Sequence, residues 1–243
     1  MHDLNFSVEG AMPVPFAAAP ALAFKLRITN DDPSERIHNV LLACQIQIES
    51  TRRRYNPEEQ GQLLDLFGEP PRWSQTLRAM LWTHASAMVP PFEGETLVDL
   101  MVPCTFDFNV AATKYFHGLD EGEVPLNLMF SGTIFFAGDD GTLRATRIAW
   151  TKEARYRLPV FVWKEMMDRY YPNRAWLCLE RDAFEQLLKY KRQRGIPTWE
   201  QTVENLLSHD GAPSSGGRQP ADASARAEAT AVIGAGAAEK SPA

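Results

Sequence analysis

The alternation of apolar and polar residues predicts β-strands over the first two-thirds of the chain. The first run places four apolar side chains on one face of an extended segment: Leu22, Phe24, Leu26 and Ile28. A second run with the same period of two spans residues 40–48, and turn-forming residues fill positions 30–34 between them. The two runs are therefore predicted to form an antiparallel pair.

The clearest hairpin in the sequence is predicted farther along. A long apolar segment, Val124–Ala137, precedes the turn-forming sequence Gly138-Asp139-Asp140-Gly141, and a second strand-like segment runs over residues 142–156. Another alternating run covers residues 96–106. Pro103 lies inside it, and because proline cannot donate to a sheet ladder, it indicates an edge strand or a bulge.

Helical signals begin within the strand series and dominate the C-terminal part. Asn56 before Pro57 and two glutamates predicts a short helix ended by Gly68. After Pro159 the apolar period becomes helical until Pro172. Two further helices are predicted, one ending at Gly195 and one running from a capping box at Thr198 through Leu207, with Trp199 as an anchor that folds back onto the β-body.

These patterns predict an α+β fold that is mainly antiparallel β, with a sandwich-like sheet body and C-terminal helices packed on it. Residues 1–207 are predicted to form a single domain. Residues 208–243 consist largely of Ala, Gly, Ser and Pro, and they cannot bury enough apolar surface to offset the entropy of ordering. This tail is predicted to be disordered.

Composition and charge exclude some classes of partner and compartment. The chain has 25 basic and 31 acidic residues and a net charge of -6, so as a whole it repels a phosphate backbone, and nucleic acid is not expected as a partner. Cys44, Cys104 and Cys178 lie far apart in apolar stretches, which is typical of reduced, buried thiols in a cytoplasmic protein. Neither a signal peptide nor a membrane span is predicted.

The sequence contains no recognisable catalytic or metal-binding motif. His38, His84 and His117 lack the close spacing of zinc ligands, and Asp139 and Asp140 lack the rest of a calcium-binding loop. Nucleophile elbows, phosphate-binding loops and dinucleotide fingerprints are not found in the sequence. The sequence therefore predicts no catalytic residue, no metal site and no cofactor.

Aromatic residues are concentrated between Val160 and Trp199. Their main interpretation is structural, because large aromatic side chains seal helices onto a sheet. The alternative is an exposed docking surface for a protein partner, since Trp and Tyr combine a large contact area with a polar group. Four residues are the candidates for that surface: Trp163, Tyr170, Tyr171 and Trp176.

Several C-terminal motifs resemble a known family. The segment Tyr170-Tyr171-Pro172-Asn173 and the segment Gly195-Ile196-Pro197-Thr198-Trp199 are similar to those of a family of uncharacterised, mainly actinobacterial proteins. That resemblance covers residues 1–207 and implies a link to uptake nickel-iron hydrogenases, whose genes neighbour those of the family. A weaker likeness is to the export chaperone SecB, in which a sheet precedes a Tyr-Cys-Pro-Asn turn and a helix ending near Gly-Phe-Pro.

Two functional hypotheses follow. The first is a non-enzymatic accessory or assembly protein that acts by binding another protein. The second is an enzyme or small-ligand-binding protein whose pocket lies between the sheet and the C-terminal helices, a common place for concave sites.

Overall fold

The computed structural model describes residues 3–105, 110–138, 140–174, 177 and 179–209. The chain divides into two units at the bond between Leu177 and Cys178. The first contains all the strands of the described residues, and we refer to it as the β-body. Of the second, which we call the helical unit, the structure describes Leu179–His209. Of the predicted tail, residues 208–243, Ser208 and His209 are the last residues of a helix, and residues 210–243 lie outside the described residues.

Nine strands lie within the described residues of the β-body. They are β1 (Leu4–Pro13), β2 (Ala21–Asn30), β3 (Arg36–Ile48), β4 (Met80–Val89), β5 (Phe92–Glu93), β6 (Glu95–Pro103), β7 (Glu123–Ala137), β8 (Leu143–Arg147) and β9 (Glu153–Pro159). The strands form a three-stranded sheet in the order β1-β2-β6 and a six-stranded sheet in the order β4-β3-β7-β8. In the larger sheet β5 also pairs with β3 and β9 also pairs with β7. Every pairing is antiparallel, which confirms the predicted fold class.

Seven α-helices accompany these strands within the described residues. They are α1 (Pro57–Gln62), α2 (Leu64–Phe67), α3 (Trp73–Thr76), α4 (Val110–His117), α5 (Val160–Tyr170), α6 (Arg181–Gln193) and α7 (Trp199–His209). The predicted cap at Asn56 is confirmed, because its side chain accepts from the Glu59 N–H in a complete capping box. Gly68 follows α2 with a φ of 70°, a conformation that favours glycine.

The predicted pairing of the first two strand-like runs is wrong. β2 pairs with β1 and β6, whereas β3 pairs with β4, β5 and β7 in the other sheet. Alternation shows that each strand has one buried face, but it does not show which strand is the hydrogen-bonded neighbour. The buried faces of β2 and β3 instead belong to one core between the two sheets. The stacked rings of Phe6 and Phe130, 4.3 Å apart, join the sheets there.

The predicted hairpin after Val124 is confirmed and has an additional feature. The 15-residue strand β7 is long enough to pair with β8 through Thr133–Ala137 and with β9 through Glu123–Met129. The second segment is therefore two strands with a turn at residues 148–152 between them. Pro103 is the last residue of β6, which lies at the edge of the three-stranded sheet, as its position in the sequence predicted.

The predicted helix after Pro159 is confirmed as α5, and it contacts β1, β2 and β9. Within the helical unit α6 is followed by Gly195, whose φ is 63°, at the predicted end of that helix. Trp199 lies 5.5 Å from Phe184 of α6, measured between ring centroids, and it is 37% exposed. Its predicted role as an anchor on the β-body stays a prediction.

Candidate functional site

An entirely apolar loop joins β1 to β2 at one end of the three-stranded sheet. From Ala11 to Phe24 the chain contains no polar side chain, and three of these residues are prolines: Pro13, Pro15 and Pro20. We call residues 13–20 the Phe16 loop. The N–H of Val14 donates to the carbonyl of Ala21 at 2.9 Å and closes the base of the loop. Prolines restrict the backbone, so the loop has few alternative conformations to lose on binding.

Phe16 is at the tip of this loop and is fully exposed. Its backbone φ is 56°, in the left-handed region that bulky residues rarely adopt. A left-handed conformation costs roughly 1–2 kcal/mol for an L-residue with a side chain. The loop thus combines a local conformational cost with an aromatic ring held in solvent, and neither contributes to the core.

Tyr170 at the end of α5 holds the loop on both sides of Phe16. Its hydroxyl oxygen lies 3.3 Å from the carbonyl oxygen of Val14 and 3.0 Å from that of Ala17. A hydroxyl has one hydrogen, so the two carbonyls share it as acceptors. Because these two carbonyls flank Phe16, the hydroxyl constrains the backbone that presents the ring.

Two methionines extend the apolar surface from the base of the loop. In the three-stranded sheet Met12 lies opposite Ala23, which lies opposite Met101 on its other side. Directly opposed residues share one face of a sheet. Met12 is 55% exposed and Met101 is 43% exposed. Exposed, flexible thioether side chains are typical of adaptable docking surfaces.

The four predicted partner-binding residues occupy different environments. Trp163 is buried and stacks on Phe116 with ring centroids 5.1 Å apart. Tyr171 is half-buried against the core, and Tyr170 contacts the Phe16 loop. Trp176 lies outside the described residues. Sequence reasoning missed Phe16, because a single aromatic residue in a proline-rich loop has no periodic pattern, although the unbroken apolar run around it was visible.

A second cluster, of buried charges, lies beside the connection from α4 to β7. The side chains of Arg53 and Glu59 are only 8% and 4% exposed and form a two-pronged ion pair, each N–O distance being 2.8 Å. Glu59 also accepts from the N–H groups of Asp120 at 2.9 Å and Asn56 at 3.2 Å. Arg53 donates to the carbonyls of Glu121 and Glu123. This pair therefore joins α1 to residues 120–123.

Two tyrosines adjoin this ion pair within the core. The hydroxyl oxygens of Tyr55 and Tyr115 are 2.8 Å apart, and Tyr55 also donates to the carbonyl of Ser50 at 2.8 Å. Burial raises the pKa of Tyr55 to about 12 and raises that of Tyr115 further. Both hydroxyls therefore stay protonated at neutral pH, and the cluster supports structure rather than proton transfer.

Residues 120–122 also border a groove. Phe161, Lys164 and Asp168 of α5 line it. Lys164 donates to the carbonyl of Asp120 at 3.0 Å. Burial and the nearby charge of Lys164 lower the pKa of His117 despite the opposing effect of Asp168, so this imidazole is neutral at pH 7.

The described residues show neither a metal-binding cluster nor a reactive thiol. Over those residues no group of three or more His, Cys, Asp or Glu side chains is placed to hold a metal ion. Cys44 and Cys104 are buried free thiols, and burial raises the pKa of each to about 12. At neutral pH both are therefore protonated and poorly nucleophilic. Cys178 lies outside the described residues.

A family model matches residues 1–215 of the chain. The chain belongs to DUF6084, a family of unknown function. Curated proteins gave no match. Among solved structures, one named as an ApaA protein from Bordetella pertussis is similar to this DUF6084 protein over 65% of this chain and 93% of that chain. The identity is 13% and the TM-score is 0.26. No helix within the described ranges is long and apolar enough to cross a membrane.

The strained conformation of Phe16 leads to a test of stability. Replacing Phe16 by glycine is expected to leave the free energy of unfolding unchanged or to raise it by up to about 1 kcal/mol, because glycine adopts positive φ without a steric cost. Phe16→Val is the matched control and should lower stability, since a β-branched residue is poorly tolerated there. Urea unfolding would measure both. A clear loss of stability in Phe16→Gly would show that the ring contributes to folding.

Proposed function

We propose that this DUF6084 protein is a non-enzymatic accessory or assembly protein that binds another protein through the Phe16 loop. The observation that carries the proposal is Phe16 itself, an exposed aromatic ring on a residue with positive φ. Backbone strain that benefits no packing in the folded chain is typical of residues kept for binding. The occupied site on the partner would be an apolar pocket large enough for one phenyl ring.

The energetics of the loop support this role. Aromatic residues that enter a pocket at the centre of an interface often contribute about 2 kcal/mol or more to binding. A loop framed by three prolines and held by Tyr170 is already ordered, so association costs less conformational entropy. Met12 and Met101 would add apolar contacts at the base of the loop, and the charged neighbours Lys25 and Asp99 on the same sheet would form part of a polar rim.

The predicted partner-binding residues take distinct roles in this proposal. Tyr170 positions the loop, Trp163 joins the first turn of α5 to α4 by stacking on Phe116, and Tyr171 packs against the core just after α5. Trp176 remains a proposed contact with the partner. The gene neighbourhood implied by the family resemblance makes the assembly of a nickel-iron hydrogenase the first system in which to seek the partner, in the cytoplasm.

Photo-crosslinking in the native host tests the proposal. Phe16 would be replaced by p-benzoylphenylalanine, and in a separate variant Trp150, which is 90% exposed in the turn between β8 and β9, would be replaced in the same way. We expect one protein to be joined through position 16 and not through position 150. Adducts of the same proteins at both positions would contradict a specific site.

The captured protein would then be purified and its affinity measured by calorimetry. Phe16→Ala should weaken binding by roughly 30-fold, which corresponds to about 2 kcal/mol. Trp150→Ala, the loss of an equally exposed ring elsewhere, should change affinity by less than about 3-fold. Equal losses in both variants, or unaltered binding by Phe16→Ala, would reject the Phe16 loop as the binding site.

A further inference from the structure

The helical unit presents apolar stripes that its own residues cover only in part, through contacts such as that between Phe184 and Trp199. On α6 the stripe consists of Phe184, Leu187 and Leu188, and on α7 of Trp199, Val203, Leu206 and Leu207. All seven side chains are at least partly exposed, and Leu207 is the most exposed of them at 58%. Two short helices rarely bury enough apolar surface to form a stable core of their own. The stripes therefore indicate an additional partner.

The turn between the helices is held by specific contacts, although the stripes remain partly exposed. Lys191 donates to the carbonyl of Pro197 at 2.9 Å, and its ammonium group lies 5.5 Å from the centre of the Trp199 ring. Gly195, with its positive φ, ends the first helix. The two stripes are thus presented by a structured turn.

Charged residues beside the stripes indicate which charges the partner must present to each helix. On α7, Glu200 and Glu204 are one helical turn apart and each directly follows a stripe residue. Like charges at that spacing are unfavourable in an isolated helix. On α6, Lys189 and Arg192 lie on the corresponding side of the stripe. Within the described part of the chain, no ion pair joins these two basic residues to the two glutamates.

A second copy of the chain supplies the opposite charges that these flanking residues lack. When two helices pack antiparallel through apolar stripes, residues on corresponding sides of the stripes face each other. Packing α6 of one copy against α7 of another therefore places Lys189 and Arg192 opposite Glu204 and Glu200. Glu185, one turn before Lys189, then faces the uncharged end of α7 near Leu207. Packing α7 against a second α7 would instead oppose four carboxylates.

We propose that this protein forms a two-fold symmetric homodimer in which α6 of each copy packs against α7 of the other. Each contact occurs twice, as a closed two-fold interface requires. The apolar stripes supply the driving force, and the flanking charges select the α6–α7 pairing over like-charged alternatives. The inference is independent of the Phe16 loop, which lies in the β-body.

Sedimentation equilibrium of the full chain gives the first test. The expected mass is twice the 27.3 kDa of one chain. Leu206→Glu should raise the dimer dissociation constant by at least 30-fold, because a buried, unpaired carboxylate replaces an apolar contact. Gln201→Glu introduces the same charged side chain on the opposite side of α7 and should leave the dimer intact. A wild-type chain that stays monomeric at all concentrations would overturn the proposal.

Charge reversal provides the decisive test. A variant with Lys189→Glu and Arg192→Glu has acidic residues at all four flanking positions. A variant with Glu200→Lys and Glu204→Lys has basic residues at all four. Each alone should be largely monomeric, whereas an equimolar mixture should form the heterodimer, because both of its α6–α7 contacts join opposite charges. If each variant dimerises as well as wild type, or the mixture stays monomeric, the α6–α7 pairing is wrong.

Discussion

Replacing Gly132 by alanine is expected to prevent the β-body from folding. Gly132 lies in β7 opposite Leu42 of β3, with a φ of 146°. A Cβ atom added there would lie 2.0 Å from the carbonyl oxygen of Leu41, far inside contact distance. The obstacle is backbone in the central pair of the larger sheet, so no side-chain rotation removes it. We expect a loss of about 4 kcal/mol or more, which would exhaust much of a typical domain's stability.

The matched control is Gly61→Ala. Gly61 lies in α1, and an added Cβ there would meet no atom within 4 Å. The same substitution should raise the free energy of unfolding by roughly 0.5–1 kcal/mol, because alanine favours the helix over glycine. Soluble expression and thermal unfolding distinguish the two outcomes. A soluble Gly132→Ala variant that melts within a few degrees of wild type would show that the strands separate at little cost.

Removing the charge of Glu59 is expected to have the second largest effect. Glu59 accepts four hydrogen bonds, two from Arg53 and one each from the N–H groups of Asp120 and Asn56. Glutamine has nearly the same shape, but its amide NH2 group can only donate. It would therefore face the N–H donors that the Glu59 carboxylate now accepts from. It would also leave Arg53 buried without its counter-charge. We expect Glu59→Gln to lower the free energy of unfolding at pH 7 by roughly 3 kcal/mol.

The effect should depend on pH with a definite sign. Burial raises the pKa of Glu59, but Arg53 and the backbone N–H groups of Asp120 and Asn56 outweigh burial and hold this pKa below its ordinary value of 4.5. A lowered pKa in the folded state contributes stability above the unfolded-state pKa and loses it as the pH falls through the folded value. The difference between wild type and Glu59→Gln should therefore be full at pH 7 and shrink steadily below about pH 4.5.

An exposed ion pair serves as the control for Glu59. Lys114 and Asp65 lie 3.4 Å apart with side chains 50% and 80% exposed. Asp65→Asn should change the free energy of unfolding by less than about 0.5 kcal/mol at any pH from 4 to 8, because water screens exposed charges. Urea unfolding at several pH values measures both variants. A Glu59→Gln effect that is small, or that grows in acid, would contradict a stabilising buried pair.

The sequence predicted features that depend on a few neighbouring residues. The N-cap at Asn56 and the glycine after α2 are local, so residue types alone specify them. The hairpin after Val124 was equally visible, since its strands adjoin in sequence. The pairing of β2 with β6 was not, because it joins residues about seventy positions apart and alternation is the same for any partner strand. The burial of the Arg53 side chain against Glu59 was not predicted either, because it depends on tertiary contacts.

The sequence by itself determined which strand faces are apolar, where α1 and α5 begin and α6 ends, and that this is a mainly antiparallel α+β protein, because spacing and caps act over a few residues. Only the tertiary structure decided which sheet each strand joins, where the charge of Glu59 is neutralised, and that Tyr170 holds a loop about 155 residues away around an exposed Phe16. These arrangements depend on contacts between distant segments, which form when the sheets pack and leave no mark in the local pattern.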